Sequence, residues 1–216
     1  MRTALCQINT VVGDLPGNLS KIQKCIKNAR SQSCEVAVFP ELAISGYPPE
    51  DLLMRRGFLR NCEESLREAA AAAVGGITVF LGCPVFNNGK VYNICAVLRG
   101  GKIVHEYKKI ALPNYSVFDE KRYFEPGSVY GIVPVNGGIV GISVCEDIWD
   151  RNHQVESLLK EKISFLVNIS ASPFHAGKIS QRKKVLRNTA LKCSAPVLYC
   201  NLVGGQDELV FDGGSM

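Results

Sequence analysis

The sequence contains no long hydrophobic run. Its N-terminal stretch, MRTALCQINTVVGDLPGN, includes a charged residue and a short apolar segment, but the polar residues Gln7 and Asn9 interrupt that segment. The segment is therefore too short for the core of a signal peptide or for a membrane span. We expect a cytoplasmic protein with no membrane partner.

Metal-ligand spacing and a disulfide pattern are also missing. The nine cysteines are an odd number, and none of them forms a C-x-x-C pair. A chain of 216 residues is long enough to bury a core without the help of disulfides. The cysteines therefore give little support to a zinc site, and we expect no bound metal.

Several common catalytic and nucleotide-binding motifs are absent. GISVC, at residues 141–145, has cysteine where a G-x-S-x-G nucleophile elbow has its last glycine. Neither a G-x-G-x-x-G fingerprint nor a P-loop occurs. The three histidines, His105, His153 and His175, lie in no cysteine-protease signature. A catalytic cysteine in this chain would therefore need a carboxylate and a lysine in place of histidine.

The net charge of +5 does not by itself indicate a nucleic-acid partner. The densest basic cluster, Gln181-Arg182-Lys183-Lys184 with Arg187, falls on a predicted helix, and we interpret it as a solvated helix face. No aromatic residues alternate with these charges, as they would in a groove for single-stranded nucleic acid. We expect no nucleic-acid partner.

Strand-like and helix-like segments alternate along the chain, which predicts one α/β domain over residues 1–216. Strands are predicted at 3–8, 36–39, 77–81, 91–98, 103–107, 132–135, 139–144, 165–169 and 197–202. Helices are predicted after an Asn18 cap and at about 59–73, 155–162 and 178–193. The Gly-Gly centre of Arg99-Gly100-Gly101-Lys102 predicts a hairpin, so the sheet is expected to be mixed.

The last residues predict an incomplete fold. Residues 208–211 are typical of a strand, and Asp212-Gly213-Gly214 is typical of a turn into a second strand that the sequence does not contain. We therefore interpret the chain as a C-terminally incomplete piece of a longer protein.

Three reactive side chains follow predicted strands. Glu41 follows an apolar strand and Pro40, Lys109 follows the second strand of the hairpin, and Cys145 ends the strand in GISVCEDIWD. Loops at the carboxyl ends of strands converge on one edge of an α/β layer, so these residues could meet there. Taken singly, each has an alternative: a surface carboxylate, a solvated lysine and a thiol packed in the core.

The order of these three residues, with the sequences around them, resembles the nitrilase, or carbon–nitrogen hydrolase, superfamily. Within it, five stretches are similar to the glutaminase domain of glutamine-dependent NAD synthetases: FPELAISGYPPEDLL, LPNYSVFDEKRYFEPG, VCEDIW, NISASPFHAGK and VGGQDELVFDGGS. The resemblance implies a four-layer α-β-β-α sandwich with mixed sheets. It also implies that Cys145 is the nucleophile, Glu41 the general base and Lys109 the cation beside the oxyanion. Glu120 is implied as a second carboxylate that positions the lysine and the substrate.

The same resemblance implies a set of residues that bind the two charged ends of glutamine: Tyr47, Tyr115, Glu146, Trp149, Ser172 and Lys178. Glu146 suits an ammonium group and Lys178 suits a carboxylate. Packing remains the alternative role for the three aromatic residues.

The activity that the resemblance implies is conversion of L-glutamine to glutamate and ammonia by a cysteine amidohydrolase, with no cofactor. ATP and magnesium are expected only at a synthetase domain outside this chain. L-glutamine, that synthetase domain and further copies of the chain are the expected partners. Two alternatives stay open: a free-standing hydrolase of another small amide or carbamoyl compound, and an inactive fragment with an assembly or regulatory role.

Overall fold

The computed structural model of the chain describes residues 1–149 and 162–216. Its first sheet contains five strands: β1 (Thr3–Leu5), β2 (Val36–Val38), β3 (Thr78–Asn87), β4 (Lys90–Arg99) and β5 (Lys102–Lys108). Its second sheet contains four: β6 (Gly131–Val135), β7 (Gly138–Val144), β8 (Phe165–Ser170) and β9 (Val197–Asn201). The described part of the chain also contains the helices α1 (Leu15–Ser31), α2 (Arg56–Ala72) and α3 (Lys178–Cys193).

Both sheets are mixed. In the first sheet β1, β2 and β3 are parallel, whereas β3, β4 and β5 form an antiparallel meander. In the second sheet β6 is antiparallel to β7, and β7, β8 and β9 are parallel. The hairpin predicted from Arg99-Gly100-Gly101-Lys102 is confirmed as the connection between β4 and β5.

The two sheets pack face to face between outer layers of helices. Val38 and Val97 of the first sheet belong to the same buried cluster as Val140 and Val167 of the second sheet. On the other face of the first sheet, a second cluster joins it to α1 and α2. On the other face of the second sheet, Leu186 of α3 belongs to a cluster with strand residues. The described residues thus form the expected α-β-β-α sandwich, and each sheet buries both of its faces.

Strand β3 is longer than the sequence predicts because a glycine and a proline in it look like strand breakers. The prediction ended the strand at Leu81, but β3 continues through Gly82 and Pro84 to Asn87 and pairs with β4 along its whole length. A Cβ atom at Gly82 would lie 2.3 Å from the backbone nitrogen of Leu42. Glycine is therefore required here because the backbone around Glu41 crosses close to the strand.

The start of α1 was also placed wrongly. The helix begins at Leu15, where the Asp14 side chain accepts a hydrogen bond from the Gly17 N–H, and not after an Asn18 cap. Asn18 is buried within the helix, and its amide binds the backbone of Val11 and Ile44. The prediction mistook a tertiary contact for a cap, because asparagine suits both. The prediction for α3 is confirmed, and the helix predicted around 155–162 falls mainly outside the described residues.

The C-terminal residues form a complete hairpin. Strand β10 (Val203–Gln206) pairs antiparallel with β11 (Leu209–Asp212), so the partner of the last strand precedes it in the sequence. The prediction of an unpaired strand was wrong because the glycines at 204 and 205 concealed β10, and Asp207-Glu208 was not recognised as the turn. No helix of the described residues is both long enough and apolar enough to cross a membrane.

Candidate active site

Of the predicted catalytic residues, Glu41, Lys109 and Glu120 are joined by hydrogen bonds, and Asp147 ties the Cys145 turn to the segment that follows Lys109. Glu41 lies three residues after β2, Lys109 directly follows β5, and Cys145 directly follows β7. Glu120 begins a short 3₁₀ helix, Glu120–Arg122, in the connection between β5 and β6. Lys109 contacts Glu41, which lies 68 positions earlier in the sequence, and Glu120, which lies 11 positions later. The tertiary fold therefore assembles the site.

Lys109 is the centre of a buried ion network. Its Nζ atom donates to Glu41 Oε1 at 2.7 Å and to both carboxylate oxygens of Glu120 at 2.8 Å. The side chain of Lys109 is 0% exposed and that of Glu41 is 1% exposed. All three protons of the ammonium therefore have carboxylate partners, and water does not screen the interaction. This arrangement contradicts the alternatives of a surface carboxylate and a solvated lysine.

Burial and charge act in opposite directions on this network. Burial alone would lower the pKa of Lys109, but the neighbouring Glu120 and Glu41 carboxylates raise that pKa well above its ordinary value. Burial also raises the pKa of Glu120, to about 7, although Lys109 and Tyr47 oppose that rise. Lys109 therefore remains an ammonium at every physiological pH, whereas Glu120 titrates near neutrality.

Two further hydrogen bonds fix the orientation of the Glu41 carboxylate. Its Oε1 atom accepts a second hydrogen bond from Asn93 Nδ2 at 2.7 Å, and its Oε2 atom accepts one from the Ala171 N–H at 2.9 Å. A carboxylate has about four acceptor sites, so described residues occupy three of them. Sequence reasoning missed Asn93, because an asparagine in the middle of strand β4 has no local signal of a site.

Cys145 lies on a sharp turn between a strand and a 3₁₀ helix, Cys145–Ile148. Its backbone φ is 43°, in the left-handed region that residues with a Cβ rarely adopt. A nucleophile elbow uses the same conformation to present its side chain. The thiol is also buried, at 6% exposed, in the cluster between the two sheets, so its backbone conformation and not its exposure distinguishes it from the alternative of a thiol packed in the core.

The thiol of Cys145 is uncharged in the resting site. Burial raises its pKa well above the ordinary value, the Glu41 carboxylate raises it further, and Lys109 opposes the rise without cancelling it. The Lys109 ammonium favours the thiolate, as its charge requires, but burial and the Glu41 carboxylate outweigh it. The thiol needs a base at the moment of attack.

Asp147 holds the cysteine turn against the lysine segment, and sequence reasoning did not single it out. Its Oδ1 atom accepts from the N–H groups of Ile110 at 3.2 Å and Ala111 at 2.8 Å. Its Oδ2 atom accepts from the Val144 N–H at 2.8 Å and from the Tyr107 hydroxyl at 2.7 Å. Because Val144 precedes Cys145 and Ile110 follows Lys109, one carboxylate fixes the separation of the two segments.

Five of the six predicted substrate-binding residues fall into three groups. Tyr47 is buried and donates to Glu120 Oε1 at 3.1 Å. The hydroxyl of Tyr115 donates to Glu146 Oε1 at 2.9 Å, although most of the Tyr115 ring is exposed. Lys178 Nζ lies 4.3 Å from the centre of the Trp149 ring. Tyr47 thus belongs to the catalytic network, whereas the other two pairs form separate contacts.

Two of these groups, Glu146 and Lys178, carry opposite charges that affect each other. Burial lowers the pKa of Lys178, and the Glu146 carboxylate opposes that change. Burial likewise raises the pKa of Glu146, opposed by Tyr115, Lys109 and Lys178. The Glu146 carboxylate and the Lys178 ammonium therefore each favour the charged form of the other.

Ser172, the last of the predicted substrate-binding residues, follows β8 and is held by a buried arginine. Arg182 Nη2 donates to the Ser172 carbonyl oxygen at 2.8 Å, and Arg182 is 0% exposed. Its neighbours Lys183, Lys184 and Arg187 on α3 are exposed, as the prediction of a solvated basic face requires. That prediction was wrong for Arg182, because the helix turns this position towards the second sheet.

A cavity of about 270 Å³ lies next to this network but does not reach the thiol. Its lining includes Tyr47 and Glu120 together with the acidic residues Glu50, Asp51 and Asp119, and it does not include Cys145. Within residues 1–149 and 162–216, no group of three or more His, Cys, Asp and Glu side chains is arranged to hold a metal ion.

A strand-end cysteine, a buried carboxylate and a buried lysine between two sheets define a thiol hydrolase type of site on a nitrilase-type sandwich. Comparison with known families agrees, because the carbon-nitrogen hydrolase model matches residues 2–216. The chain therefore belongs to the carbon–nitrogen hydrolase family.

Similar proteins with curated names are glutamine-dependent NAD(+) synthetases. The chain is 44% identical over 218 residues to the one from Thermotoga maritima, covering 100% of this chain and 38% of the relative. It is 42% identical over 219 residues to the one from Xylella fastidiosa, covering 100% of this chain and 40% of the relative. The chain thus spans about two fifths of the length of these relatives.

Solved structures show the same fold. Glutamine-dependent NAD+ synthetase from Acinetobacter baumannii matches with a TM-score of 0.90 and 35% identity, over 99% of this chain and 40% of that one. An amidase from Nesterenkonia sp. matches with a TM-score of 0.85 and 22% identity, over 100% of this chain and 81% of that one. At 22% identity, the similarity to the amidase is evidence only that the two chains share a fold.

Proposed function

We propose that this chain hydrolyses the side-chain amide of L-glutamine to glutamate and ammonia, with Cys145 as nucleophile. The observation that carries the proposal is the buried network in which Lys109 joins Glu41 and Glu120 beside the cysteine turn. Two carboxylates around one ammonium, out of contact with water, are costly to bury, and active sites are where such arrangements concentrate.

Glu41 acts as the general base in this proposal. Described residues leave one acceptor position on Oε2, and the thiol proton of Cys145 passes to it as the sulfur attacks the amide carbon. The first step forms a C–S bond and converts the carbonyl π bond into an oxyanion. Negative charge thereby moves from Glu41 to the substrate oxygen.

Lys109 stabilises that oxyanion, together with the backbone N–H of Glu146 at the start of the 3₁₀ helix. Glu120 keeps the ammonium in place through its bidentate contact, so the lysine does not follow the shifting charge. Glu120 is therefore a positioning residue in this mechanism.

Collapse of the intermediate completes acylation. The C–N bond breaks, the proton on Glu41 passes to the leaving nitrogen, and ammonia departs from a thioester at Cys145. Water then attacks the thioester and gives a proton to Glu41, the C–S bond breaks, and glutamate leaves as the thiol regains its proton. Neither half of the reaction requires a metal or a cofactor.

Glu146 and Lys178 distinguish glutamine from simpler amides. The amino group of glutamine suits the Glu146 carboxylate, and the glutamine carboxylate suits the Lys178 ammonium. Tyr115 orients Glu146, and Trp149 lies against Lys178, so both charged groups have a partner that limits their freedom. Tyr47 and Ser172 complete the proposed substrate contacts.

The names of the relatives suggest where the ammonia goes. We propose that residues 1–216 are the glutaminase domain of a longer chain, whose synthetase domain uses the ammonia to amidate deamido-NAD with ATP and magnesium. Assembly of several copies of that longer chain is part of the same proposal. These partners follow from similarity to proteins of which this chain covers about two fifths.

The first experiment is intact-mass analysis after incubation with a diazoketone analogue of glutamine. We expect one adduct on the wild-type chain, at Cys145, and none on Cys145→Ala. Production of glutamate from glutamine, with asparagine and simple aliphatic amides as comparison substrates, then tests turnover. Absence of the adduct on a protein that unfolds cooperatively, together with turnover of another amide, would refute the glutamine assignment.

A further inference from the structure

Arg182 is the largest fully buried side chain among the described residues, and the mechanism above does not use it. It lies on α3, and its guanidinium reaches past the end of β8. Nη2 donates to the carbonyl oxygens of Ser172 at 2.8 Å and Pro173 at 3.3 Å, while Nε donates to Ser172 Oγ at 3.4 Å. Three contacts of one planar group thus converge on two consecutive residues of the loop after β8.

The other side of the guanidinium binds the C-terminal hairpin. Arg182 Nη1 donates to Asp212 Oδ1 at 2.6 Å, at the last residue of β11. Asn201 adds a parallel connection, because its Oδ1 atom accepts from the Ser172 N–H at 2.8 Å and its Nδ2 atom donates to the Gly213 carbonyl oxygen at 2.9 Å. The loop and the hairpin are therefore joined by two adjacent side chains.

The loop that Arg182 holds is already part of the proposed site. Ser172 is a proposed substrate contact, and the residue before it, Ala171, donates its N–H to Glu41 Oε2 at 2.9 Å. Arg182 binds Ser172 and Pro173 but not Ala171, so loss of its contacts would displace the side of the site that faces the substrate, here called the substrate wall, and leave the Ala171 contact with Glu41 in place. Displacements of about 1 Å at a site can reduce rates about a hundredfold.

We propose that Arg182 is a positioning residue for substrate selection: it fixes Ser172 towards the amino-acid end of glutamine and links hairpin β10–β11 to that wall of the site. The inference rests on the proposed function and extends it. Lysine cannot replace the arginine, because an ammonium is a point donor and cannot reach Asp212, Ser172 and Pro173 in one plane.

The test compares two reagents that modify Cys145. The diazoketone analogue of glutamine carries the amino-acid end, whereas iodoacetamide does not. Modification rates are measured on the peptide that contains Cys145, in the full 216-residue chain and over a range of reagent concentrations. Arg182→Lys and Arg182→Ala are the test variants, and Arg187→Lys, at an exposed arginine of the same helix, is the matched control.

For Arg182→Lys we expect the second-order rate constant with the diazoketone to fall about tenfold to a hundredfold, through a higher half-saturating concentration. The iodoacetamide rate should stay within about twofold of the wild-type rate, since that reagent does not use the wall. Arg187→Lys should change neither rate. Millimolar methylguanidine should restore part of the diazoketone rate in Arg182→Ala by occupying the vacated position.

Three results would overturn the proposal. Equal loss of both rates in Arg182→Lys would show a general structural role, and unchanged rates in that variant would show no role. Loss of cooperative unfolding in both Arg182 variants would likewise assign the residue to stability alone. A wild-type chain that reacts with iodoacetamide and not with the diazoketone would instead refute the proposed function, and the inference with it.

Discussion

Replacing Lys109 with methionine removes the ammonium that joins two buried carboxylates. Methionine has a similar length and no charge, so Lys109→Met changes electrostatics more than volume. In the wild type the Nζ atom lies 2.7 Å from Glu41 Oε1 and 2.8 Å from Glu120 Oε2. The variant leaves both carboxylates buried without this shared partner.

The size of the effect follows from burial. At an effective dielectric constant of about 20, each pair at roughly 2.8 Å contributes about 6 kcal/mol of Coulomb energy. The desolvation of three charges offsets much of this attraction, and removal of one partner from a buried pair generally costs about 3–5 kcal/mol. We therefore expect the free energy of unfolding of Lys109→Met to fall by about 4 kcal/mol at pH 8, together with complete loss of turnover.

Urea unfolding of four proteins measures this loss: wild type, Lys109→Met, Lys109→Met with Glu120→Gln, and Lys108→Met. The double variant removes one of the two uncompensated carboxylates, so it should regain part of the lost stability. Lys108 lies over the Tyr92 ring at 3.9 Å and is partly exposed, so its replacement should cost less than about 1 kcal/mol. The Lys109→Met deficit should also shrink at pH 5, where uncompensated carboxyl groups bind protons.

A deficit below about 1 kcal/mol for Lys109→Met at pH 8 would refute the reasoning, because it would mean that water screens the network. Equal stability of the single and double variants would contradict it in a second way, since the two carboxylates would not then repel each other. Ordinary turnover in Lys109→Met would remove the lysine from the proposed mechanism.

Three further predictions concern neighbouring residues. Cys145→Ala should abolish glutamate release and change the free energy of unfolding in urea by only about 1 kcal/mol. Retained turnover would show that Cys145 is not the nucleophile. Because the folded pKa of Glu120 is raised to about 7 from 4.5, the folded state binds the proton more tightly, and this group lowers stability by on the order of 3 kcal/mol as pH rises from 4.5 to 7. Thermal unfolding across that range should show this slope in the wild type and a smaller one in Glu120→Gln; equal slopes would contradict the assignment. Asp147→Asn should lose about 1–3 kcal/mol and most turnover, since an amide turns one acceptor into a donor facing other donors; wild-type behaviour in both assays would refute its role.

The elements with strong periodic or turn signals could be predicted from the sequence. Helix α3 and the hairpin at Gly100-Gly101 were placed correctly, because amphipathic spacing and a glycine turn are local properties. Strand β10 was missed and β3 was cut short, since glycine in a strand was interpreted as a break. At Gly82 the glycine has a tertiary cause, the close approach of the Glu41 segment, which no local pattern contains.

The catalytic residues could likewise be predicted from the sequence, whereas two of the residues that position them could not. Glu41, Lys109 and Cys145 could be proposed because each follows a strand and because their order resembles a known family. Asn93 and Arg182 could not be proposed, because one lies within a strand and the other within a basic run on a helix. Their roles depend on what the second sheet and the loop after β8 place beside them.

The charge balance of the site explains why a neutral thiol and a fully occupied lysine are compatible with catalysis. In the proposed reaction the total charge of the network does not change: the thiol proton neutralises Glu41 while the substrate oxygen becomes negative. Lys109 loses one anionic partner and gains another, with Glu120 holding it throughout. Since the Lys109 ammonium is already oriented and out of contact with water before the attack, little reorganisation of the site accompanies the transfer of charge. A resting thiolate would add a third anion beside one cation, and this arrangement is the one that the raised pKa of Cys145 disfavours.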